Sequence, residues 1–191
     1  MSTKTIIIGK GHLGTILAKE VVTPKVMHWK DDISKLDNRI LADFQPDYVI
    51  NAAGKTDLPW CEANKDECWR CNVVEPVMLQ RRLPKHATLI HLSSGCVWTG
   101  PFRADGQPFE PMDAPTPACF YAWTKVVSDA QLMMEADNDL RQLFILRPRQ
   151  VFSPAVSPRN TLSKLLSYKK LIDTPNSMTS RKRITTKGNI R

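Results

Sequence analysis

The chain lacks several features that would define other protein classes. No stretch approaches the roughly 20 consecutive apolar residues of a membrane span, and the N-terminus carries no long apolar signal region. The reading is therefore cytoplasmic, without a membrane partner. Cysteine is scarce: five residues, an odd number at irregular spacing, which excludes a closed disulfide framework and points to a reducing compartment. Cys68-x-x-Cys71, with Cys61 nearby, has no second Cys-x-x-Cys or His pair to complete four ligands, so no metal is expected. On a helix these cysteines share one face, and that face is expected to pack on a sheet. Internal repeats are absent, and so is a basic groove. The net charge is +8, but of 27 Lys/Arg and 19 Asp/Glu, nine bases and one acid (Asp173) lie between Arg159 and Arg191. Residues 1–158 keep 18 of each, so the body is neutral and a nucleic-acid partner is not expected. What remains is an ordinary globular composition, 42% hydrophobic over 191 residues, enough for one domain with a core.

The apolar runs are short and β-branched, and they alternate with helical periodicity. Lys4–Ile8, Val26–Trp29, Tyr48–Asn51, Thr88–Leu92 and Leu143–Leu146 read as strands. Leu36–Phe44, Glu62–Arg82 and Tyr121–Met134 read as helices, the second kinked or split by Pro76. Prolines crowd Pro101 to Pro117, which marks a long loop. Strands alternating with helices predict an α/β fold, a doubly wound parallel sheet of Rossmann type covered on both faces.

The first strand runs directly into Gly9-Lys10-Gly11-His12-Leu13-Gly14, and Leu13, Ile16 and Leu17 then recur at helical spacing. In that context G-x-G-x-x-G signals dinucleotide binding. The first glycine allows the tight turn, the second lets a pyrophosphate reach the backbone, and the third lets helix pack on strand. The phosphates would sit on the helix N-terminus, where free N–H groups and the dipole favour anions. His12 either touches the cofactor or is an ordinary polar turn residue. The second strand ends at Trp29-Lys30 without an acid at its tip, although Asp31 and Asp32 follow. Lys30 suits a 2′-phosphate, so NADPH is the expected cofactor and NADH the alternative. Asp32 and Ile33 either lie beside the adenine or belong to a solvated loop or cap.

Tyr121-Ala122-Trp123-Thr124-Lys125 puts a phenol and an ammonium on one helix face, four residues apart. A free tyrosine has a pKa of roughly 10, and a nearby cation would bring it into a useful range for proton exchange. Ser93-Ser94 ends the strand Thr88–Leu92, and in open parallel sheets ligands bind at the C-terminal strand ends. A Ser94 hydroxyl there would hydrogen-bond a carbonyl that Tyr121 also contacts.

Gly9, Ser94, Tyr121 and Lys125, in that order, resemble an extended short-chain dehydrogenase/reductase acting on nucleotide sugars. Asn51-Ala52-Ala53-Gly54, Trp60-Cys61-Glu62, Asn72-Val73-Val74, Gly95-Cys96-Val97-Trp98, Pro158-Arg159-Asn160 and Pro175-Asn176-Ser177-Met178-Thr179 narrow the resemblance. They are similar to the bifunctional 3,5-epimerase/4-reductases of UDP-rhamnose synthesis, with the dTDP-4-dehydrorhamnose reductases close by. The resemblance implies a UDP- or dTDP-4-keto-6-deoxyglucose substrate. Tyr121 would protonate the C4 oxygen, Lys125 tune it, Ser94 hold the carbonyl, and Cys96 and Lys164 form the epimerase acid–base pair. It also implies cofactor contacts at Ala52, Ala53 and Gly54 and substrate contacts at Arg159 and Asn160. Gly95 and Cys96 stand where sugar-nucleotide dehydratases carry an acidic pair, which argues against dehydration.

Three regions are expected: a dinucleotide-binding domain over 1–158, the start of a substrate region over 159–179, and a basic, disordered tail over 180–191. The usual C-terminal substrate domain would then be largely missing. That leaves a second reading, a catalytically weak NADP-binding module that acts through a partner subunit, or a homodimer.

Overall fold

The computed structural model describes residues 2–100, 102–149, 151, 153 and 160–173. The chain divides into two compact units, Met1–Arg149 and Gln150–Arg191.

In the first unit the five apolar runs form five parallel strands: β1 (Lys4–Ile8), β2 (Lys25–Trp29), β3 (Tyr48–Asn51), β4 (Thr88–Leu92) and β5 (Leu143–Leu146). Their order is β2-β1-β3-β4-β5. One row of the register runs Met27, Ile6, Val49, Leu89, Leu143 across the whole sheet. All five residues belong to, or pack against, the main core with Leu36, Leu41, Val77, Leu79 and Leu132. Ile7 points to the opposite face from Ile6 and Ile8 and is also fully buried, because a parallel sheet with crossover helices is covered on both sides. Two positions further on, the row reads Trp29, Ile8, Asn51, His91, Ile145. It places two buried polar residues side by side, Asn51 Nδ2 and His91 Nδ1 at 3.3 Å. The chain leaves β1 toward β2 on one side and returns to β3 on the other. The C-terminal ends of β1 and β3 are therefore the switch point at which such sheets bind ligands.

The helices are α1 (His12–Glu20), α2 (Asn38–Phe44), α3 (Leu58–Ala63), α4 (Lys65–Trp69), α5 (Glu75–Arg82) and α6 (Phe120–Asp139). A 3-10 turn over Ile33–Lys35 stands apart from α2, because Asp37 caps the helix by accepting from Ile40 N at 2.9 Å. Pro76 does not split the segment after β3. The break falls earlier, at Asn64 between α3 and α4, and the path from Lys65 to Arg82 stays helical through a π turn over Arg70–Val74. Pro76 has no N–H to give to Asn72 and its ring would crowd that carbonyl, and the wider turn relieves both. Helix α6 outlasts its apolar stretch and ends at Leu140, which takes the left-handed conformation at φ 52°.

In the second unit, α7 (Thr161–Asp173) is the described element. Arg159, the Pro-Asn-Ser-Met-Thr run and the basic tail lie outside the described residues. Among those described, no helix is long and apolar enough to cross a membrane.

Candidate active site

Two loops meet at the switch point. Gly9 has φ +121°, and a Cβ there would lie 2.8 Å from the Ala52 carbonyl carbon and 2.9 Å from Ala53 N. A Cβ on Gly14 would strike the Gly9 carbonyl oxygen at 2.1 Å. Both glycines are thus required by backbone packing: one brings the β1 turn against the β3 loop, the other seats α1 on the turn. Gly11 is the N-cap of α1 and has no side chain with which to hydrogen-bond the first turn. His12 and Leu13 form the first turn of that helix, both half-buried. His28, on β2, secures the turn through Nε2 at 2.9 Å from the Gly9 carbonyl oxygen.

Beyond β2 the surroundings are exposed and charged. Lys30 is exposed. Asp31 pairs with Lys35 at 3.0 Å, and its carboxyl is held low first by the Asp32 backbone N–H and then by Lys35. Asp32 caps the 3-10 turn, accepting from Ser34 N at 2.9 Å, and lies 3.6 Å from Arg70 Nη1. Ile33 sends its side chain into the main core, 2% exposed, so its packing is structural there.

The reactive hydroxyls gather at the ends of β4 and α6. Ser94 is buried and caps a 3-10 turn over Gly95–Val97, its Oγ accepting from Cys96 N at 3.1 Å. Tyr121 and Lys125 follow one another on the inner face of α6, 7% and 2% exposed. Burial pushes the Tyr121 phenol up to about 12; the neighbouring Ser94 hydroxyl pulls the other way, and Cys96, Cys61 and Cys119 add to the rise. Burial also lowers the Lys125 ammonium to about 8, against the upward pull of Asp129, Cys68 and Cys61. Its Nζ donates to the Leu92 carbonyl at 3.2 Å. The downward pull on the phenol in this state thus comes from Ser94, while the ammonium is tied to the end of β4.

Cys96 sits half-buried in the Gly95–Val97 turn and packs on the cluster of Cys61, Cys68 and Tyr121. Cys61 and Cys68 therefore pack in a cluster with Tyr121 of α6, where a sheet-facing position is expected from the sequence. The turn that carries Cys96 is tight: a Cβ on Gly95 would meet Arg149 Cβ at 3.1 Å. Gly54, at φ +150°, comes between the two groups of residues, since a Cβ there would lie 2.9 Å from Asn72 Oδ1 and 3.7 Å from Lys125 Nζ. The β3 loop, with Ala52, Ala53 and Gly54, thereby joins the glycine turn to the Tyr–Lys helix.

Lys164 belongs to the second unit, on α7; it is exposed, and its N–H donates to the Asn160 carbonyl at 3.1 Å. Asn160 is buried and caps that helix, its Oδ1 accepting from Leu162 N at 3.3 Å while its Nδ2 donates to the Ser153 carbonyl at 2.6 Å.

Two residues of this region escape a reading by motif. Asn72, fully buried in the π turn, accepts from Lys55 N at 2.8 Å and donates to the Lys55 carbonyl at 2.9 Å and to Thr124 Oγ1 at 3.1 Å. It clamps the loop after Gly54 to α6. Its sequence signal is membership of the Asn72-Val73-Val74 run, four positions before a proline, which assigns it no role. Asp129 is the other; its spacing of four from Lys125 and eight from Tyr121 places it on the same helix face.

Comparison with known families matches residues 4–177 to the RmlD substrate binding domain. The chain belongs to that family. Among curated relatives, the bifunctional dTDP-4-dehydrorhamnose 3,5-epimerase/dTDP-4-dehydrorhamnose reductase of Arabidopsis thaliana is 32% identical over 189 residues, 91% of this chain and 61% of that protein. A trifunctional UDP-glucose 4,6-dehydratase/UDP-4-keto-6-deoxy-D-glucose 3,5-epimerase/UDP-4-keto-L-rhamnose-reductase of the same plant is 32% identical over 193 residues, 93% of this chain and 28% of that protein. The chain thus spans between about a quarter and three fifths of these relatives. The dTDP-4-dehydrorhamnose reductase of Bacillus anthracis, solved with NADP, superposes with a TM-score of 0.75 at 19% identity, covering 89% of this chain and 60% of that one. This RmlD-family member therefore shares its five-stranded Rossmann-like fold with that reductase.

Proposed function

We propose that this RmlD-family chain reduces the C4 ketone of a nucleotide-linked 4-keto-6-deoxy sugar, UDP- or dTDP-bound, with NADPH, and epimerises C3 and C5 beforehand. The observation that carries the reading is the burial of Ser94, Tyr121 and Lys125 in one cluster at the C-terminal end of β4, beside the switch-point loops. The residues fit the cofactor: bare glycine backbone at Gly9 and Gly11 borders an uncapped helix N-terminus, and Lys30, with NADH the lesser alternative, offers a cation for a 2′-phosphate. NADPH, when bound, supplies the hydride.

The chain's own residues supply the rest. Ser94 and Tyr121 present two hydroxyls to one ketone oxygen, and Tyr121 gives that oxygen its proton. A phenol held protonated to about 12 is a donor across the physiological range. Lys125, its ammonium anchored on the Leu92 carbonyl, stabilises the phenolate as it forms. For epimerisation, the ketone acidifies the C3 and C5 protons; Cys96, packed beside Tyr121, is assigned as the base that takes one of them, and Lys164 as the acid that gives the carbon a proton of its own in exchange. The relatives named as epimerase/reductases support the activity; the roles of Cys96 and Lys164, and of Asn160 and Arg159 toward the substrate, rest on the sequence resemblance.

Proton NMR of UDP-4-keto-6-deoxyglucose in heavy water with the full chain and NADPH tests the proposal. Deuterium at C3 or C5, followed by UDP-rhamnose, is the expected result; neither, from a folded protein that binds NADPH, would overturn it. Cys96→Ala should stop the exchange yet spare reduction of an already epimerised ketone, and exchange at the parental rate would make Cys96 a packing residue.

A second reading, a weak NADP-binding module completed by a partner subunit, draws support from β5. Among the described residues it is the last strand of the sheet, and it leaves Phe144 57% and Leu146 48% exposed. It predicts NADPH binding without turnover until the partner is added.

A further inference from the structure

Asp129 lies on the Tyr–Lys helix one turn beyond Lys125 and is 1% exposed. One carboxylate oxygen, Oδ2, accepts two hydrogen bonds: from Ser93 Oγ at 2.9 Å and from Arg147 Nε at 2.8 Å. The other, Oδ1, is buried and has no hydrogen-bond partner among the described residues. These partners come from different elements. Ser93 is the residue between β4 and Ser94, and Arg147 follows β5. Arg147 also stacks its guanidinium over Trp98 at 5.1 Å and donates to the Pro111 carbonyl at 2.8 Å. The carboxylate is thus where α6, the β4 end and the β5 end are tied together, and the first two carry Tyr121, Lys125 and Ser94.

Stability alone is a poor reason for this arrangement, because a buried ion pair seldom outperforms apolar packing of the same volume. An unmatched buried oxygen makes it costlier still. The groups around Lys125 show what the carboxylate accomplishes there. From α3 and α4 the neighbours are Cys61 and Cys68, from β4 the buried His91, and from its own helix Asp129. Burial holds His91 in its neutral form. Asp129, one helical turn along α6, is therefore the carboxylate set against the ammonium; burial raises its carboxyl, and Arg147, Ser93 and Lys125 act against that rise.

We propose that Asp129 is the positioning residue of the reductive set: through Ser93 it pins the Ser94 end of β4 to the Tyr121–Lys125 helix, and it holds a fixed negative charge against Lys125. This rests on the reading of Ser94, Tyr121 and Lys125 given above. The deciding measurement, however, needs no turnover.

That measurement is a carbon-13 NMR titration of the Lys125 ε-carbon in the full chain, assigned by its loss in Lys125→Met. In Asp129→Asn the Lys125 midpoint is expected at lower pH than in the parent. Asp129→Glu should hold it near the parental value, and Asp137→Asn, at an exposed position on the same helix, should leave it in place. An unmoved midpoint in Asp129→Asn would overturn the proposal. With UDP-4-keto-6-deoxyglucose and NADPH, Asp129→Asn should lower kcat roughly 10- to 100-fold, the scale of a displaced reacting group, at nearly constant KM. A parent without turnover counts against the reductase reading and leaves the titration to decide Asp129. Should the Asn variant not fold, Ser93→Ala keeps the Asp129–Arg147 pair and removes the pin. Amide exchange across Ser94–Val97 should then quicken, and unchanged exchange would overturn the pinning role.

Discussion

The two ends of the proposed ligand site are built on opposite principles. At the β4–α6 end the polar groups are buried: Ser94, Tyr121, Lys125, Asp129 and Asn72 are all at or below 7% exposure. Burial raises the Tyr121 and Asp129 groups and lowers the Lys125 ammonium, and Lys125, Asp129 and Asn72 are each held by a partner from a different element. At the β1–α1–β2 end the backbone does the work and the charges stay wet. Gly9, Gly11 and Gly14 shape the turn, Lys30 is exposed, and Asp31 and Lys35 pair with more than half of each side chain in solvent. The contrast suits what each end is proposed to handle. A phosphate is recognised by an array of N–H groups and a loosely held cation, whereas proton transfer needs one donor in one orientation in a medium of low dielectric. Chemistry is thus placed where water is excluded, and binding where it is tolerated.

The largest effect should come from the buried end. Tyr121→Phe removes the proposed proton donor and is expected to lower reduction by about 10²–10⁴-fold, the range for a general acid, with NADPH affinity nearly unchanged. Stopped-flow absorbance of NADPH, with a separate binding titration, separates the two; lost binding with intact turnover would reverse the assigned ends. Lys125→Met should come next, and in the opposite direction for stability. The folded pKa, about 8, lies below the ordinary value of 10.5, so the folded chain holds fewer protons than the unfolded one between those values. The penalty of the buried ammonium is therefore absent above 10.5, builds as pH falls from 10.5 toward about 8, and is complete below that. Lys125→Met should raise stability at pH 7 by up to the order of 3 kcal/mol while lowering turnover less than Tyr121→Phe does, and the gain should fade toward pH 10. Denaturant melts across that range check it. A gain independent of pH would mean that volume, not charge, is what burial opposes at this position.

The same contrast explains what could be read from the residues. The strands stand where the apolar runs put them because hydrophobic patterning is local, and the Gly9–Gly14 turn is legible because its glycines answer to backbone geometry within a few positions. Tyr121 and Lys125 are legible because they share one helix. Asn72 was quoted only as part of a run, and its role depends on Lys55 and Thr124, 17 and 52 positions away. Asp129 was missed for the same reason: nothing in Ser128-Asp129 tells that Ser93 and Arg147 converge on it. The placement of the cysteines around Tyr121 rather than on the sheet is a further long-range fact, since helical periodicity says which residues share a face but not which neighbour covers it. The π turn at Pro76 shows the converse. The proline signalled a disturbance correctly, but whether a helix breaks or widens is decided by the packing of Asn72 and Val73 on its far side.

The smallest effect belongs to the exposed end. Lys30→Ala should weaken NADPH by about tenfold or less, leave NADH unchanged, and lose most of that difference as salt is raised, because a wet cation contributes a screened attraction. Lys10 and Arg70 act on the neighbouring acids Asp31 and Asp32, so one missing charge leaves two others near the same stretch of chain. Binding titrations of both cofactors at low and high salt measure this directly. A salt-insensitive loss of a hundredfold would show that Lys30 is held in one geometry by the bound nucleotide, and the division between a wet binding end and a dry chemical end would have to be redrawn at β2. An equal loss for both cofactors would move the 2′-phosphate contact to another residue, with Arg70 the first to examine, since it already bridges the 3-10 turn at Asp32 to Glu75 on the helix across from it.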